Sequence, residues 1–322
     1  MLMFRLLSRL LFFVLLLGVT QAFGQQKKAA FKVVPLGIRG GLDESNLSGY
    51  LVAPTGSDNY VSLDAGTLHY GLRKAVENRV FEAAPGEVLR NNVKGYLISH
   101  PHLDHLAGLI INSPDDTPKS IYGLPFMIQV LKDKYFTWQS WANFANEGDK
   151  PTLNKYQYTY LKENEATPLA NTELQVRAFP LSHSSPDQSA AFLLQHNQDY
   201  LLYLGDTGAD AIEGSDKLQQ LWQEVAPLVK NGELKAIFIE VSFPNEQPEK
   251  QLFGHLTPRL LMSELEKLSK LTGTTALRKV PVVVTHMKPS GDNVQKIMAQ
   301  LKEGNRLRLN LVYPEQGRML TF

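Results

Sequence analysis

The sequence predicts an α/β protein built as an αββα sandwich, in which two β-sheets lie between two outer layers of helices. Three observations support this prediction. Strand-like runs alternate with amphipathic segments in the first half of the chain, the same alternation returns in the second half, and no linker separates the halves. The chain has 322 residues, of which 43% are hydrophobic and 20% are charged, so it can bury one large core. We therefore predict one domain over residues 25–322.

Residues 1–24 have the features of a cleaved export signal. Arg5 and Arg9 precede an unbroken apolar run, and the small residues Ala22 and Gly24 follow it, as a signal peptidase requires. The alternative is an uncleaved membrane anchor, but the run is shorter than the ~20 residues of a spanning helix. We expect an exported protein, periplasmic or secreted, with no membrane attachment after cleavage.

Composition limits the partners and the metal chemistry. The chain contains no cysteine, so a transition-metal site must use histidines and carboxylates, which favours zinc, manganese or iron. Of the 33 basic residues, two leave with the signal, and 31 basic residues then face 32 acidic ones. This balance lacks the excess of positive charge that binding to a nucleic-acid polymer requires, so the expected partner is a small molecule. Whether the protein forms a homodimer is left open.

The first half contains several predicted strands followed by helical segments. Apolar and β-branched runs that end at turn residues predict strands at 31–38, 49–54, 60–66 and 93–100. The segment after the last of these has helical spacing, with Leu106, Leu109 and Ile110 on one face. A helical, aromatic segment is predicted at 124–144.

The second half repeats this organisation. Strands are predicted at 174–183, 189–196, 200–206, 236–242, 280–286 and 306–314. Helices are predicted at 216–230, 258–271 and 293–301. The second of these helices begins with a strong local signal, since Thr257 is a suitable N-cap and Pro258 suits the first helical position.

Metal-type side chains follow the ends of four predicted strands. They are His100, His102, Asp104, His105, His183, Asp206 and His286. Strand ends at one edge of a sheet converge in space, so we expect these side chains to lie close together. Seven ligands without sulfur are enough for two metal ions that share one bridging carboxylate.

The spacing within the first cluster, "HPHLDH", supports a metal site. Pro101 separates His100 and His102 on a nearly extended backbone, so both rings can project to one side. Asp104 and His105 come after the chain has begun to turn and can face a second metal. The alternative, an adventitious patch of surface histidines, is disfavoured because an apolar helix follows immediately.

The stretch "HPHLDHLAGLIINSP" resembles the extended signature of the class II 3′,5′-cyclic-nucleotide phosphodiesterases, a family of the metallo-β-lactamase superfamily. The segments "SLDAGT", "PLSHS", "YLGDTG" and "VTHMKPS" also occur in superfamily order. The resemblance implies an αββα sandwich of the metallo-β-lactamase type. It also implies hydrolysis of cyclic AMP, with cyclic GMP as a further substrate, to the 5′-nucleotide.

The resemblance also implies a cofactor of two zinc ions, with manganese or iron as replacements. It assigns His100, His102 and His183 to one ion, and Asp104, His105 and His286 to the other, with Asp206 as the bridge. Asp64 would orient a ligand histidine from outside the ligand set. The alternative for Asp64 is a turn residue that caps Gly66.

A further stretch, "EVSFPNEQPEKQLFGHLTP", resembles the paired Glu and His-x-Thr motifs of the phosphodiesterase branch, which includes the zinc endonucleases that mature tRNA. The resemblance implies that Glu240 orients His255 near the leaving group. With Asp104, these two are the predicted catalytic residues. Taken alone, each residue has an ordinary interpretation. Glu240 would be a surface charge at the end of a strand, and His255 would be a residue that flanks a helix.

These parts predict a mechanism. Two metals can hold a hydroxide whose parent water has a pKa near 7, and it would attack phosphorus in line with the departing 3′ oxygen. His255 would protonate that oxygen, a contribution of ~10²–10⁴-fold.

Three alternatives remain at this point. A tRNA-processing endonuclease is disfavoured by the near-neutral charge. A lactam or lactone hydrolase would not need Glu240 and His255. A non-catalytic exported zinc-binding protein is disfavoured by the complete ligand set. We expect the remaining histidines, His69 and His196, to have no ligand role.

Overall fold

Two seven-stranded β-sheets form the framework of the protein in the computed structural model, which describes residues 29–322. The first seven strands are β1 (Phe31–Gly37), β2 (Gly49–Pro54), β3 (Tyr60–Leu63), β4 (Val93–Leu97), β5 (Lys119–Gly123), β6 (Tyr156–Tyr160) and β7 (Thr167–Pro168). The others are β8 (Gln175–Ser182), β9 (Gln188–His196), β10 (Asp199–Leu204), β11 (Leu234–Glu240), β12 (Val282–Thr285), β13 (Leu311–Val312) and β14 (Leu320–Thr321). The first sheet has the order β14-β1-β2-β3-β4-β5-β6, and the second has the order β13-β12-β11-β10-β9-β8-β7. The predicted export signal lies outside the described residues.

Helices from each half of the chain cover the outer face of one sheet. Those of the first half are α1 (His69–Glu77), α2 (Pro85–Asn91), α3 (Leu103–Asn112) and α4 (Pro125–Val130), which continues as a π-helical turn at Leu131–Tyr135. Those of the second half are α5 (Asp210–Glu213), α6 (Lys217–Asn231), α7 (Pro258–Thr272), α8 (Thr274–Leu277) and α9 (Asn293–Gly304), with a 3₁₀ turn at Glu249–Gln251. Within residues 29–322, none of these helices combines the length and the apolar character that crossing a bilayer requires.

Three hydrophobic layers hold these four structural layers together. Val33 packs between the sheets with Phe238, whereas Val34, the next residue along β1, packs under the helices of the first half. Ile237, the neighbour of Phe238 on β11, packs under the helices of the second half. Alternate residues of one strand therefore enter different cores, as the two-residue period of a strand requires. The predicted αββα sandwich is confirmed.

The three long helices of the second half, α6, α7 and α9, lie close to their predicted positions. Helix α7 begins at Pro258, and the Thr257 side chain accepts a hydrogen bond from the backbone N–H of Leu260 at 3.4 Å. This contact satisfies one of the N–H groups that have no partner within the helix. The predicted N-cap at Thr257 is therefore confirmed.

The helical prediction for 124–144 is wrong beyond Tyr135. After the π-helical turn the chain enters an irregular loop, in which Trp138 has a left-handed φ of 61°. The Asn143 side chain donates hydrogen bonds to the carbonyls of Glu147 and Asp149, at 3.0 and 2.7 Å. Side-chain to backbone bonds of this kind stabilise a turn in place of a helix.

Several predicted strands are shorter than expected, and three of them carry information about the site or the chain end. The prediction at 306–314 holds only for Leu311–Val312, because Arg308 has a left-handed φ of 54° and the Asn305 side chain bonds to the backbone of Leu309. The strand predicted at 60–66 ends at Leu63, and the one predicted at 93–100 ends at Leu97. Each of these two strands ends just before a polar residue of the predicted site, Asp64 in the first case and His100 in the second.

The strand register brings the polar residues to one edge of the sandwich. Strands β3 and β4 run parallel, with Leu63 opposite Leu97. Strands β11 and β12 also run parallel, with Glu240 opposite Thr285. The segments that follow these strand ends therefore leave the sheets at the same edge, as the sequence predicted.

Candidate metal centre

The seven predicted ligands lie together at this edge. The carboxylate of Asp206, which follows β10, is central to the cluster. Its Oδ2 atom is 3.7 Å from His100 Nε2, 3.3 Å from His105 Nε2, 4.0 Å from His183 Nε2 and 3.2 Å from His286 Nε2. Four histidines from three distant parts of the sequence therefore face one carboxylate oxygen.

The remaining geometry divides the ligands into two groups. Donor atoms of His100, His102 and His183 lie within 4.8 Å of one another, with His102 Nδ1 3.3 Å from His183 Nε2. Asp104, His105 and His286 form the second group, in which His286 Nε2 is 3.1 Å from Asp104 Oδ2. These are the groups that the family resemblance implied, and Asp206 lies between them. Their role as metal ligands stays a prediction.

The donor set fits a pair of metal ions. His100 Nε2 is buried and has no hydrogen-bond partner among the described residues, although a buried polar atom of this kind normally has one. His105 Nε2 and His286 Nε2 approach to 3.1 Å, and nitrogen donors converge in this way on a shared cation. Nitrogen and carboxylate donors without sulfur suit zinc, manganese or iron.

The electrostatics of the cluster favour the metal-binding protonation states of His100 and Asp206. Burial, reinforced by the neighbouring His105, holds the pKa of His100 well below its usual range, so the ring is neutral. Burial opposes ionisation of Asp206, but the charges of His105 and His286 outweigh it and hold the pKa of Asp206 well below the usual value. Neutral His100 and ionised Asp206 are in the forms that bind a metal. Burial lowers the pKa of His105, but the charges of Asp206 and Asp64 outweigh it and hold the pKa well above the usual range, so this ring must release a proton when it binds a metal.

Fixed partners orient the ligand rings. His100 Nδ1 is 2.9 Å from Ser99 Oγ, His183 Nδ1 is 2.9 Å from the carbonyl oxygen of Gly254, and His286 Nδ1 is 2.9 Å from Ser242 Oγ. In each ring the Nε2 atom is left to face the cluster. Such partners fix the tautomer and the orientation of a ligand histidine.

Asp64 orients a fourth ring, that of His105. Its Oδ2 lies 2.8 Å from His105 Nδ1, and the same carboxylate accepts hydrogen bonds from Tyr203 Oη at 2.6 Å and from the Ser99 N–H at 2.7 Å. The alternative, a cap on Gly66, is not seen, because the N–H of Gly66 donates to the carbonyl oxygen of Ser48.

Replacing Asp64 with asparagine should weaken metal binding and activity by roughly 10–100-fold, the usual cost of losing an outer partner of a ligand histidine. The Asp64 carboxylate only accepts hydrogen bonds. In the asparagine variant an NH₂ group, which cannot accept a hydrogen bond, would face one of the donor groups. Metal content and the rate of the hydrolysis that the family resemblance implies measure the effect. Asp58→Asn is the control, because Asp58 is exposed and pairs with Lys32. Equal effects of the two variants would contradict this role.

Glu240 and His255 form a buried pair beside the cluster. Glu240 Oε1 is 2.7 Å from His255 Nδ1, and His255 Nδ1 is 3.8 Å from Asp206 Oδ2. Burial raises the pKa of Glu240 to about 7 and lowers the pKa of His255 to about 4. Both shifts disfavour a full ion pair, so the pair can hold or release a proton near neutral pH.

Sequence reasoning missed two residues that complete these contacts. Ser242 Oγ donates to Glu240 Oε2 at 2.7 Å and lies 2.9 Å from His286 Nδ1, so it links the buried pair to the cluster. The N–H of Gly41 donates to Asp104 Oδ2 at 2.9 Å. Ser242 could have been noticed because it stands two residues after Glu240, at the same strand end.

The cluster is open to solvent at His102 and Asp104, whose side chains are 43% and 18% exposed. A cleft of about 190 Å³ adjoins His102 and is lined by Pro101, His102, Phe126, Val130, Pro186, Asp187 and Gln188. A small molecule can reach the cluster from this side. His69 is exposed and His196 lies 3.5 Å from Glu173, so neither belongs to the cluster.

Comparisons with known proteins agree with this geometry. Residues 84–317 match the family described as cAMP phosphodiesterases class-II. The chain is 42% identical over 311 residues to a 3′,5′-cyclic-nucleotide phosphodiesterase of Aliivibrio fischeri, covering 92% of this chain and 94% of that protein. It is 38% identical over 310 residues to a protein of Yersinia pestis named "Probable 3′,5′-cyclic-nucleotide phosphodiesterase", covering 92% of this chain and 90% of that one.

Solved structures show the same fold. Unliganded yeast PDE1 is similar with a TM-score of 0.82 and 24% identity, covering 91% of this chain and 100% of that one. The metallo-β-lactamase fold protein YhfI of Bacillus subtilis is similar with a TM-score of 0.58 and 18% identity, covering 90% and 99%. At these identities the likeness shows the architecture alone, which is the metallo-β-lactamase fold.

Proposed function

This chain belongs to the class-II cyclic-nucleotide phosphodiesterases, and from that premise we propose that it hydrolyses cyclic AMP, and cyclic GMP as a further substrate, to the 5′-nucleotide with two zinc ions. Its activity as a 3′,5′-cyclic-nucleotide phosphodiesterase rests on the family match and on 42% identity along 92% of the chain. One observation carries the finer proposal. His255, which is bonded to Glu240, lies 3.8 Å from the same Asp206 carboxylate that the predicted ligand histidines face.

His100, His102 and His183 would hold one ion, and Asp104, His105 and His286 the other, with Asp206 shared between them. When bound, the two ions supply a hydroxide nucleophile at neutral pH by acidifying water, and they offset the negative charge of the phosphate oxygens. Zinc is the proposed metal because the donors are nitrogen and carboxylate oxygen, and manganese or iron can replace it.

The buried pair supplies the proton for the leaving group. Hydrolysis to the 5′-nucleotide breaks the bond between phosphorus and the 3′ oxygen, and that oxygen must gain a proton as it departs. His255 would donate this proton from Nε2. Glu240, whose pKa burial raises to about 7, holds the ring through Nδ1 and would pass its own carboxyl proton to that nitrogen. Ser242 fixes both members of the pair relative to His286.

Removal of the metal should abolish hydrolysis of cyclic AMP, because seven clustered ligand residues without a cation have no means of activating water. Treatment with a chelator followed by dialysis gives the apoprotein. Zinc, manganese and iron are then added back separately, and the initial rate and the metal content are measured. We expect zinc to restore the rate at a ratio of two ions per chain. Full activity of protein shown to be free of metal would contradict the proposal.

We also propose that the protein is exported, because of the features of residues 1–24. Expression of the full chain in a bacterium, followed by fractionation and mass spectrometry of the N-terminus, tests this. The expected product begins at Phe23 or Gln25 and occurs in the periplasm or the medium. A cytoplasmic product that retains Arg5 and Arg9 would contradict export.

A further inference from the structure

Lys288 lies at the rim of the metal centre, two residues after His286. Its backbone N–H donates to the carbonyl oxygen of Ser242 at 3.2 Å, which fixes the start of the side chain beside the buried pair. The ammonium nitrogen, Nζ, is 5.8 Å from the centre of the Phe243 ring. That ring in turn packs edge to face on His255, with 5.7 Å between the ring centres.

The other neighbour of Lys288 is the loop that holds Asp104. A Cβ atom added to Gly41 would lie 3.7 Å from Lys288 Nζ, so the ammonium group faces the backbone of Gly41. The N–H of Gly41 donates to Asp104 Oδ2. The ammonium group therefore lies between the loop bound to a predicted metal ligand and the ring packed on the predicted proton donor.

Lys288 has no carboxylate partner within 4 Å among the described residues, and its Nζ makes no hydrogen bond there. The nearby carboxylates are engaged elsewhere, since Asp104 contacts His286 and Glu240 contacts His255. Its side chain is only partly exposed. The ammonium group of Lys288, which no carboxylate of the described residues neutralises, is therefore available to a bound anion.

We propose that Lys288 binds the phosphate group of the substrate, on the side where the 3′ oxygen departs. This inference rests on the proposed function, and the substrate class is a phosphodiester monoanion. An ammonium group is a compact donor that suits phosphate oxygens. Placed beside His255, it would offset charge that develops as the bond to the leaving oxygen breaks. Lys288 keeps its own proton, and the proton for the 3′ oxygen comes from His255.

The test compares three variants of the metal-loaded protein. Lys288→Met keeps the length of the side chain without its charge, and Lys288→Arg keeps the charge. Lys302→Met is the matched control, because Lys302 is exposed on helix α9. For Lys288→Met we expect kcat/KM for cyclic AMP to fall about 10- to 100-fold, the usual effect of a lost hydrogen bond to a charged group. Lys288→Arg should recover most of the loss, and metal content should stay constant.

Calorimetric titration with 5′-AMP gives a second readout, which does not depend on turnover. Lys288→Met should bind 5′-AMP about 10-fold more weakly than the wild type, and Lys302→Met should bind it equally well. Unchanged affinity and unchanged kcat/KM in Lys288→Met would overturn the inference. So would a loss of metal in both Lys288 variants, which would indicate a structural role.

A third substrate separates this inference from the proposed function. If the wild type hydrolyses bis(4-nitrophenyl) phosphate but neither cyclic nucleotide, the proposed function fails. Lys288→Met should then still lower kcat/KM for the aryl phosphodiester, because that substrate carries the same anionic phosphate. An undiminished rate with the aryl phosphodiester would overturn the role of Lys288 whatever the natural substrate is.

Discussion

Replacing Asp206 with asparagine should remove both the metal and the activity. Its Oδ2 atom lies within 4.0 Å of a nitrogen from each of His100, His105, His183 and His286, so it serves both ligand groups. The variant loses the negative charge that would offset the charge of the two proposed cations. We expect the rate of cyclic AMP hydrolysis to fall well beyond the roughly 10–100-fold that the loss of an outer partner costs. Elemental analysis and initial rates measure the two effects.

The matched control for this variant is Asp199→Asn. Asp199 lies at the opposite end of strand β10, where it pairs with Lys235 at 2.8 Å. This partly exposed pair contacts none of the predicted ligands, so this variant should keep its metal and its activity. Normal metal content and rate in Asp206→Asn would contradict the proposal of a shared ligand.

Replacing His255 with alanine should lower kcat for cyclic AMP by about 10²–10⁴-fold, the range that a general acid contributes. The 3′ oxygen of ribose is a poor leaving group and depends on a proton donor. Metal content should stay unchanged, because His255 is not one of the seven predicted ligands. Glu240→Gln should lower kcat in the same direction, since Gln cannot supply the carboxylate that His255 Nδ1 contacts at 2.7 Å.

The leaving group distinguishes proton donation from a general loss of structure. A nitrophenolate leaves without protonation, so His255→Ala should lose much less activity toward bis(4-nitrophenyl) phosphate than toward cyclic AMP. His196→Ala is the control, since His196 lies at the end of strand β9 and pairs with Glu173. Equal losses on both substrates would contradict the role of His255 as the acid.

The fold and the ligand cluster could be predicted because both depend on local patterns. The near-continuous apolar run of strands such as Phe31–Gly37 indicates burial on both faces, which occurs when a sheet has a helical layer on one side and a second sheet on the other. The cluster follows from the same architecture. His100, Asp206 and His286 each stand just after a strand, and neighbouring strand ends share one edge.

Contacts that depend on the approach of distant loops could not be predicted. The N–H of Gly41 reaches Asp104 across 63 residues of sequence, and nothing in the spacing indicates that contact. Lys288 follows a ligand histidine, but its lack of a partner depends on where every nearby carboxylate lies. The loop after Tyr135 was predicted as helix because its apolar residues have helical spacing, whereas side-chain bonds from Asn143 stabilise turns there.

The most direct test of the central claim is the identity of the product. Metal-loaded protein is incubated with cyclic AMP, and the nucleotides are separated by chromatography and identified against 5′-AMP and 3′-AMP. We predict 5′-AMP as the sole product, because protonation by His255 releases the 3′ oxygen. Formation of 3′-AMP, or no turnover of cyclic AMP by protein that hydrolyses bis(4-nitrophenyl) phosphate, would contradict the claim.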